Sequence, residues 1–263
     1  MGWFCKEKIE QEKEEKMSEQ TLTGKVVLVT GAGSGLGEAT AHAFANAGSS
    51  VACVDINAAG AERVSKSIEA HGARTLALAC DVSDANAVFA TVKAVGEQLG
   101  RLDIVVNCAA IDYTVSVEEM TVEQWDRVIA VNLRGPFLFA KAALPFMRQQ
   151  HAGHVINVAS TAALRMWGNA SAYHASKAGL VAFGRGFGVE GREHGIRVTT
   201  IIPGGMQTHF FDRFHEQGIP MPDEKNLQDP ANVANVIVFA AQVPPESALQ
   251  EVLITPFTET SWP

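Results

Sequence analysis

Cysteine, charge and aromatic side chains are all sparse in this chain. Its 263 residues include four cysteines, 19% charged residues and 7% aromatics. The cysteines, Cys5, Cys53, Cys80 and Cys108, are dispersed and form no C-x-x-C pair. That argues against a disulfide framework or a zinc site and points to free thiols in a reducing, cytoplasmic setting. The charged fraction lies below the ~25% usual for soluble domains, so much surface is expected to be buried in a large core or between subunits. Basic residues are in deficit: 21 Lys and Arg stand against 29 Asp and Glu, for a net charge of -8. A nucleic-acid or anionic-membrane binder needs a basic face, which this balance does not provide. No run of about 18 uninterrupted apolar residues occurs, so no membrane span is expected. With 47% hydrophobic residues, the chain can offset ordering entropy, and global disorder is excluded.

Residues 1–20 differ from the rest. MGWFCKEKIEQEKEEKMSEQ is dense in charge and lacks both the basic start and the apolar stretch of a secretory signal. It reads as a mobile or weakly helical extension. Met17 opens MSEQTLTGKVVLVTG in the manner of an ordinary start. The residues before it read either as a start-site artefact or as a real extension.

From Leu22 onward, short β-branched apolar runs alternate with alanine-rich segments of helical period. The runs are Val26–Thr30, Val51–Asp55, Leu76–Cys80, Ile104–Asn107, His154–Val158, Val198–Ile202 and Val252–Ile254. Helices are expected near Gly35–Ala47, Ala58–His71, Ala85–Leu99, Val122–Gln149, Ala172–His194 and Pro230–Ala241. Continuous apolar strands are buried on both faces, and strand–helix alternation implies βαβ units. The expected fold is therefore α/β: one doubly wound domain over residues 21–263, with a seven-stranded parallel sheet flanked by helices. No interior linker divides it.

The first run ends in TGAGSGLG, with glycines at Gly31, Gly33, Gly35 and Gly37. A glycine motif between strand and helix lets the backbone turn sharply and approach a pyrophosphate at the helix N-terminus. Asp55 closes the second run, eighteen positions after Gly37. A carboxylate there can accept both hydroxyls of an adenosine ribose and would repel a 2′-phosphate, with capping of the next helix as its alternative role. No Lys or Arg lies in the glycine loop or immediately after Asp55, so NAD is favoured over NADP. Asp81 ends the third run; it either accepts from the adenine amino group, with Val82 packing on the ring, or caps the next helix. Asn107 ends the fourth run, either in the cofactor pocket or as a tie between strands.

Tyr173 and Lys177 are four residues apart and share a face if helical. An ammonium beside a phenol favours phenolate and lowers its pKa from about 10. Such a tyrosine can relay a proton to or from a secondary alcohol. Ser160 stands at the carboxyl end of the fifth run, where its hydroxyl can polarise a substrate carbonyl.

TGAGSGLG, NCAA, Asn132 in VNLRG, Ser160 thirteen residues before Tyr173, YHASK and PGGMQT together resemble the short-chain dehydrogenase/reductase family, from about Leu22 to the C-terminus. The resemblance implies a Rossmann-fold, metal-independent oxidoreductase that is a dimer or tetramer. It makes Tyr173 the general acid/base and Ser160 the substrate-orienting residue. Lys177 would hold the nicotinamide ribose. Asn132, on the long fourth helix, would support a water linking Lys177 to solvent; its alternative is a polar kink. Pro203 and Gly204 would shape the nicotinamide pocket, and the Thr208 hydroxyl would hold the carboxamide. The expected cofactor contacts are completed by Ser34, Leu36, Ile56, Ala109 and Met206. Two departures stand out: N-C-A-A replaces the usual N-N-A-G, placing a methyl at Ala110, and the C-terminus lacks the aspartate and glycine that often follow the last strand. Trp262 and the nearby prolines are expected to pack on a neighbouring subunit.

Substrate contacts are expected from the loops after strands four, five and six, with Tyr113, Leu164, Trp167 and Phe210 foremost. These residues, with Ile111, Asp112, Ala162, Met166, Phe211 and Phe214, suggest a largely apolar pocket for a hydrophobic or cyclic secondary alcohol or ketone. Phe210–Phe214 reads as a mobile lid, and His174 as structural. Small residues at Ala175, Ala178, Gly179, Ala182, Gly184, Gly186 and Gly188 would let two long helices meet between subunits. The expected activity is hydride transfer between NAD(H) and a secondary alcohol. Alternatives are an NADPH-dependent 3-oxoacyl thioester reductase and, in another class, a non-catalytic dinucleotide-binding sensor or scaffold. Epimerase or dehydratase chemistry would call for a longer C-terminal substrate region.

Overall fold

The computed structural model describes residues 22–216 and 218–259. The charged extension at 1–20, Cys5 and Trp262 lie outside the described residues. The elements follow in the order β1 (Val26–Thr30), α1 (Gly35–Asn46), β2 (Ser50–Asp55), α2 (Ala58–Glu69), β3 (Thr75–Ala79), α3 (Ala85–Leu99), β4 (Ile104–Asn107), α4 (Val122–Ile129), α5 (Gly135–Gln150), β5 (Gly153–Val158), α6 (Ser171–Gly191), β6 (Ile196–Pro203), α7 (Asp212–Glu216), α8 (Pro230–Gln242) and β7 (Glu251–Ile254). The strands form one parallel sheet in the order β3-β2-β1-β4-β5-β6-β7. This is the doubly wound Rossmann arrangement the alternation predicts. Its order reverses between β1 and β4, which opens a crevice at the carboxyl edge.

Alternation along each strand divides the core into two layers. Leu28, Val54, Val105, Val155 and Val198 face α3 and α5, meeting Val88, Val92, Phe139 and Met147. Val27, Val29, Val51, Val106, Ile156 and Ile201 face the other way, onto Phe44 of α1, Val64 and Ile68 of α2, and Val233 and Ile237 of α8. Truncating one such buried aliphatic residue to Ala typically costs about 2–5 kcal/mol.

Two expected helices are broken up. The run Val122–Gln150 is long and apolar enough to cross a membrane by length and composition, yet it packs into the core and is more than half buried. It is also not one α-helix. Between α4 and α5 lies a π-helical turn, Ala130–Arg134. The wider turn carries Asn132, whose Nδ2 donates to Ile111 O (2.8 Å) and whose Oδ1 accepts from Ile111 N (2.9 Å). Single-turn π-bulges inside α-helices often mark functional sites. The second expected helix, Ala172–His194, ends as α at Gly191, continues as a 3₁₀ turn over Arg192–His194, and stops at Gly195 in the left-handed region.

Three of the small residues of α6 pack within the chain. A Cβ at Gly184 would stand 2.5 Å from Thr200 Oγ1, one at Gly188 3.6 Å from Val198, and one at Gly179 3.0 Å from Leu133. These glycines bring α6 close to its own sheet and to the π turn within the same chain.

Candidate active site

The site begins at the glycine loop. Gly31 has φ +68° and Gly35 φ +55°, both left-handed and natural to glycine. A Cβ at Gly37 would lie 1.9 Å from Gly31 O, so only glycine lets α1 start so close to β1. Ser34 is the N-cap of α1, but its side chain makes no capping hydrogen bond. The first-turn amides and the Ser34 hydroxyl are thus left for an anion. Thr208 closes over this loop: a Cβ at Gly35 would meet the Thr208 methyl at 3.3 Å.

Asp55, at the end of β2, accepts from Gly33 N and Asn57 N, both at 2.8 Å. It does not cap α2, since Asn57 accepts from Gly60 N as the cap. Arg63 reaches the same corner, which the sequence did not reveal. Its guanidinium donates to Gly33 O (2.9 Å) and grips both carboxylate oxygens of Glu38 (2.7 Å each). Hydrogen bonding to Arg63 holds the Glu38 carboxyl below its usual range. Asp81 is no cap either, because Asp84 caps α3. Its carboxylate takes Ser83 N (2.9 Å), Ser83 Oγ (2.7 Å) and Arg127 Nη1 (3.0 Å). Burial opposes its ionisation, but these partners hold its carboxyl below the usual range.

The reacting end lies on β5 and α6. Tyr173 and Lys177 are both buried, and the Lys177 Nζ stands 5.6 Å from the Tyr173 ring centroid. Nζ donates to Val158 O at 2.8 Å. Burial pulls the Lys177 ammonium down to about 8. The expected lowering of the phenol by Lys177 is not what this structure shows. Burial raises the Tyr173 phenol above its ordinary range, while hydrogen bonding to Ser160 and the charge of Arg213 pull it partly back. The reason is physical: a fully desolvated phenolate is costly, and the ammonium that would offset it is itself weakened by burial. Ser160 Oγ accepts from Ala162 N at 3.1 Å. Asn132 makes no direct hydrogen bond to Lys177 among the described residues: beyond Ile111 its Nδ2 donates to Ser176 Oγ (3.1 Å), which in turn donates to Tyr173 O (2.8 Å). Its side chain therefore braces α6 against the loop after β4, and its donors are taken.

One cavity of about 490 Å³ joins these parts. Of the expected cofactor contacts, Gly31, Ser34, Gly35, Leu36, Gly37, Asp55, Ile56, Asp81, Val82, Ala109, Tyr173, Lys177, Pro203, Gly204, Met206 and Thr208 line it. Ser160 and Cys108 do so too; burial pushes the Cys108 thiol up to about 12. A continuous cleft running from a strand-end carboxylate, past an open helix N-terminus, to a tyrosine–lysine pair fits a dinucleotide. Asn107 is a correction: it does not line the cavity. Its Nδ2 donates to Asn157 Oδ1 (2.9 Å), tying β4 to β5.

The substrate end needs more correction. Trp167 and Phe210 line the cavity, but Tyr113 and Leu164 do not. Leu164 is largely exposed, because the 3₁₀ turn Thr161–Ala163 directs it outward. The wall is not simply apolar either. Asp112, Thr114, Arg127 and Arg213 all line the cavity, and Asp112 and Arg213 form a partly buried pair at 2.9 Å. Burial raises the Asp112 carboxyl despite Arg213. Nor does Phe210–Phe214 hang free. Arg213 Nε donates to Thr114 Oγ1 (3.0 Å) and Nη1 to Phe210 O, fastening this segment to the loop after β4. His174 is structural, as expected: Ala162 O lies 2.8 Å from Nδ1, and Nε2 accepts from Trp167 N at 3.1 Å. It holds Trp167 at the cavity rim.

The chain matches the family described as short chain dehydrogenase over residues 25–218, and it belongs to that family. It is 41% identical over 182 residues to the D-threitol dehydrogenase of Mycolicibacterium smegmatis, covering 69% of this chain and 70% of that one. It is 38% identical over 211 residues to the levodione reductase of Leifsonia aquatica, covering 79% of each. A metagenomic short-chain oxidoreductase solved in complex with NADP superposes with a TM-score of 0.78 at 30% identity, over 89% of this chain and 97% of that one. The chain is thus an oxidoreductase of alcohols or ketones that uses a nicotinamide dinucleotide.

Proposed function

We propose that the protein is an NAD-dependent dehydrogenase that interconverts a secondary alcohol and its ketone, with Tyr173 as general acid/base. The observation that carries this reading is the single cavity lined by both the glycine loop and the Ser160, Tyr173 and Lys177 side chains. Gly31–Gly37 and Thr208 would hold the pyrophosphate and carboxamide ends, and Asp55 the adenosine ribose. The bound nicotinamide supplies the acceptor or donor of the hydride. Ser160 Oγ holds the substrate oxygen, and Tyr173 Oη takes the carbinol proton on oxidation or returns it on reduction. Lys177, anchored on Val158 O, keeps further N–H groups for the nicotinamide ribose. Asn132 fixes α6 through Ser176. Two relatives, named for threitol dehydrogenation and levodione reduction, support chemistry at a carbinol or ketone.

The preference for NAD rests on Asp55 and on the state of Arg63. Arg63, which reaches the loop corner, is held by both oxygens of Glu38, which balances its charge before any 2′-phosphate arrives. The carboxylate at Asp55 also counts against an NADPH-dependent thioester reductase. A panel of secondary alcohols with each dinucleotide, read by the absorbance of reduced nicotinamide, tests this. We expect turnover with NAD in preference to NADP. Asp55→Ala should cut kcat/KM for NAD by about tenfold, one charge-assisted hydrogen-bonding partner's worth, and narrow the preference. An unchanged preference in Asp55→Ala, or NADP favoured by the native protein, contradicts the ribose assignment.

A further inference from the structure

His174 carries two hydrogen bonds that reach two different walls of the cavity. It follows Tyr173 on α6 and is buried. Its Nδ1 lies 2.8 Å from Ala162 O, an atom that can only accept, so the ring proton sits on Nδ1. Nε2 is then an acceptor and takes Trp167 N at 3.1 Å. The two rings also meet edge to face, with centroids 4.4 Å apart. At the first wall, Ala162 is fully buried and packs with Ala170 and Tyr173. Its own N–H donates to Ser160 Oγ at 3.1 Å. The Nδ1 donor of His174 therefore fixes the turn that holds the Ser160 hydroxyl. At the second wall, Trp167 lines the cavity while 52% of its surface stays exposed. Residues 164–170 belong to no helix or strand, so the bond and the ring contact with His174 tie Trp167 to α6.

We infer that His174 is a positioning residue for substrate selectivity: through Trp167 it sets the wall against which the carbon skeleton of a cyclic secondary alcohol packs, and through Ala162 it sets Ser160 against Tyr173. The inference rests on the reading of Ser160 and Tyr173 as the groups that meet the reacting carbinol. His174 itself does not line the cavity, so it acts only through these two neighbours. Its two bonds have separable effects. An indole face removes apolar substrate surface from water in proportion to the area it covers. A six-membered ring offers Trp167 far more surface than propan-2-ol does, so the bond to Trp167 governs the preference between them. A shift of Ser160 harms both alcohols alike, because proton transfer needs the carbinol oxygen within hydrogen-bond reach of its partners. The bond to Ala162 therefore governs rate. An asparagine amide has the reach of Nδ1 and a glutamine amide that of Nε2, so the two effects can be parted by substitution.

The test measures kcat and KM for cyclohexanol and propan-2-ol with the dinucleotide the native protein prefers. It uses the native protein, His174→Asn, His174→Gln, Trp167→Ala and the double variant His174→Asn with Trp167→Ala. Binding of each alcohol in the presence of the reduced dinucleotide, a pair that cannot react, is followed by saturation-transfer NMR. The native protein should bind cyclohexanol more tightly than propan-2-ol. In His174→Asn, which keeps the donor to Ala162 and loses the acceptor for Trp167, the kcat/KM ratio of cyclohexanol to propan-2-ol should fall about tenfold, through KM. In His174→Gln, which keeps that acceptor, the ratio should stay near the native one while kcat falls for both alcohols. Trp167→Ala should lower the ratio as much as His174→Asn, with no further drop in the double variant. A native-like ratio in Trp167→Ala or His174→Asn overturns the inference. So do additive losses in the double variant, a ratio in His174→Gln as low as in His174→Asn, or equal native binding of the two alcohols. If His174→Asn fails to fold, the other two single variants carry the test: His174→Gln must keep the ratio and Trp167→Ala must lose it. Binding of cyclohexanol that depends on His174 and Trp167 but leads to no turnover would uphold the positioning role and overturn only the dehydrogenase reading.

Discussion

Lys177 is held by one backbone carbonyl inside the fold, and its charge is sensitive to that burial. Its ammonium titrates at about 8 against an ordinary 10.5. Between those values the unfolded chain binds more protons than the folded one, so stability should rise with pH through this window. Tyr173 acts later and oppositely. Its phenol is raised by burial, so above about pH 10 the unfolded chain loses that proton first and stability falls. Urea unfolding of the native protein should therefore show a gain between about pH 7.5 and 9.5 that is absent in Lys177→Met. Parallel pH profiles for the two proteins would contradict a desolvated ammonium. Ser160, Tyr173 and Lys177 were legible in the sequence because strand ends and a four-residue helical spacing are local signals. Arg213 and Arg127 were not. Their partners Asp112 and Asp81 stand 101 and 46 residues away, and no periodicity links them.

At the scale of elements, the strands emerged within two residues of their expected bounds because parallel strands are apolar on both faces. Tyr113 and Leu164 went astray because a loop, unlike a strand, has no fixed side-chain period. The π turn at Ala130–Arg134 was hidden for another reason: a single wide turn hardly disturbs the 3.6-residue pattern that flanks it. Helices α4, α5 and α6 leave Val122, Trp125, Phe137 and Val189 exposed. Large apolar side chains exposed on neighbouring helices suit a contact between subunits. We expect a homodimer or homotetramer, with α4–α6 at the contact. Light scattering of the purified protein checks this, and replacing Trp125 and Val189 by Glu should lower the mass observed. A monomer in the native protein would assign these side chains elsewhere.

Across the whole molecule, the sheet order places unrelated segments of sequence at one edge. The glycine loop follows β1, Asp55 ends β2, Asp81 follows β3, and Ser160 follows β5. A dinucleotide at the crevice beside β1 and β4 would touch all of them. Helix α6 then brings Tyr173 and Lys177 over the same cavity. The far edge has a different task. There Asp103 takes Lys25 (3.2 Å), Arg101 (2.6 Å) and Val26 N (3.0 Å), and ties the amino ends of β1 and β4 together. Stability is gathered at one end of the strands and chemistry at the other. The central claim is that a phenol at the carboxyl end performs proton transfer beside a bound dinucleotide. Tyr173→Phe tests it most directly, with NAD affinity from fluorescence titration and turnover measured on the same sample. The account predicts turnover reduced by about 10²–10⁴-fold with NAD affinity nearly unchanged; turnover at the native rate would contradict it.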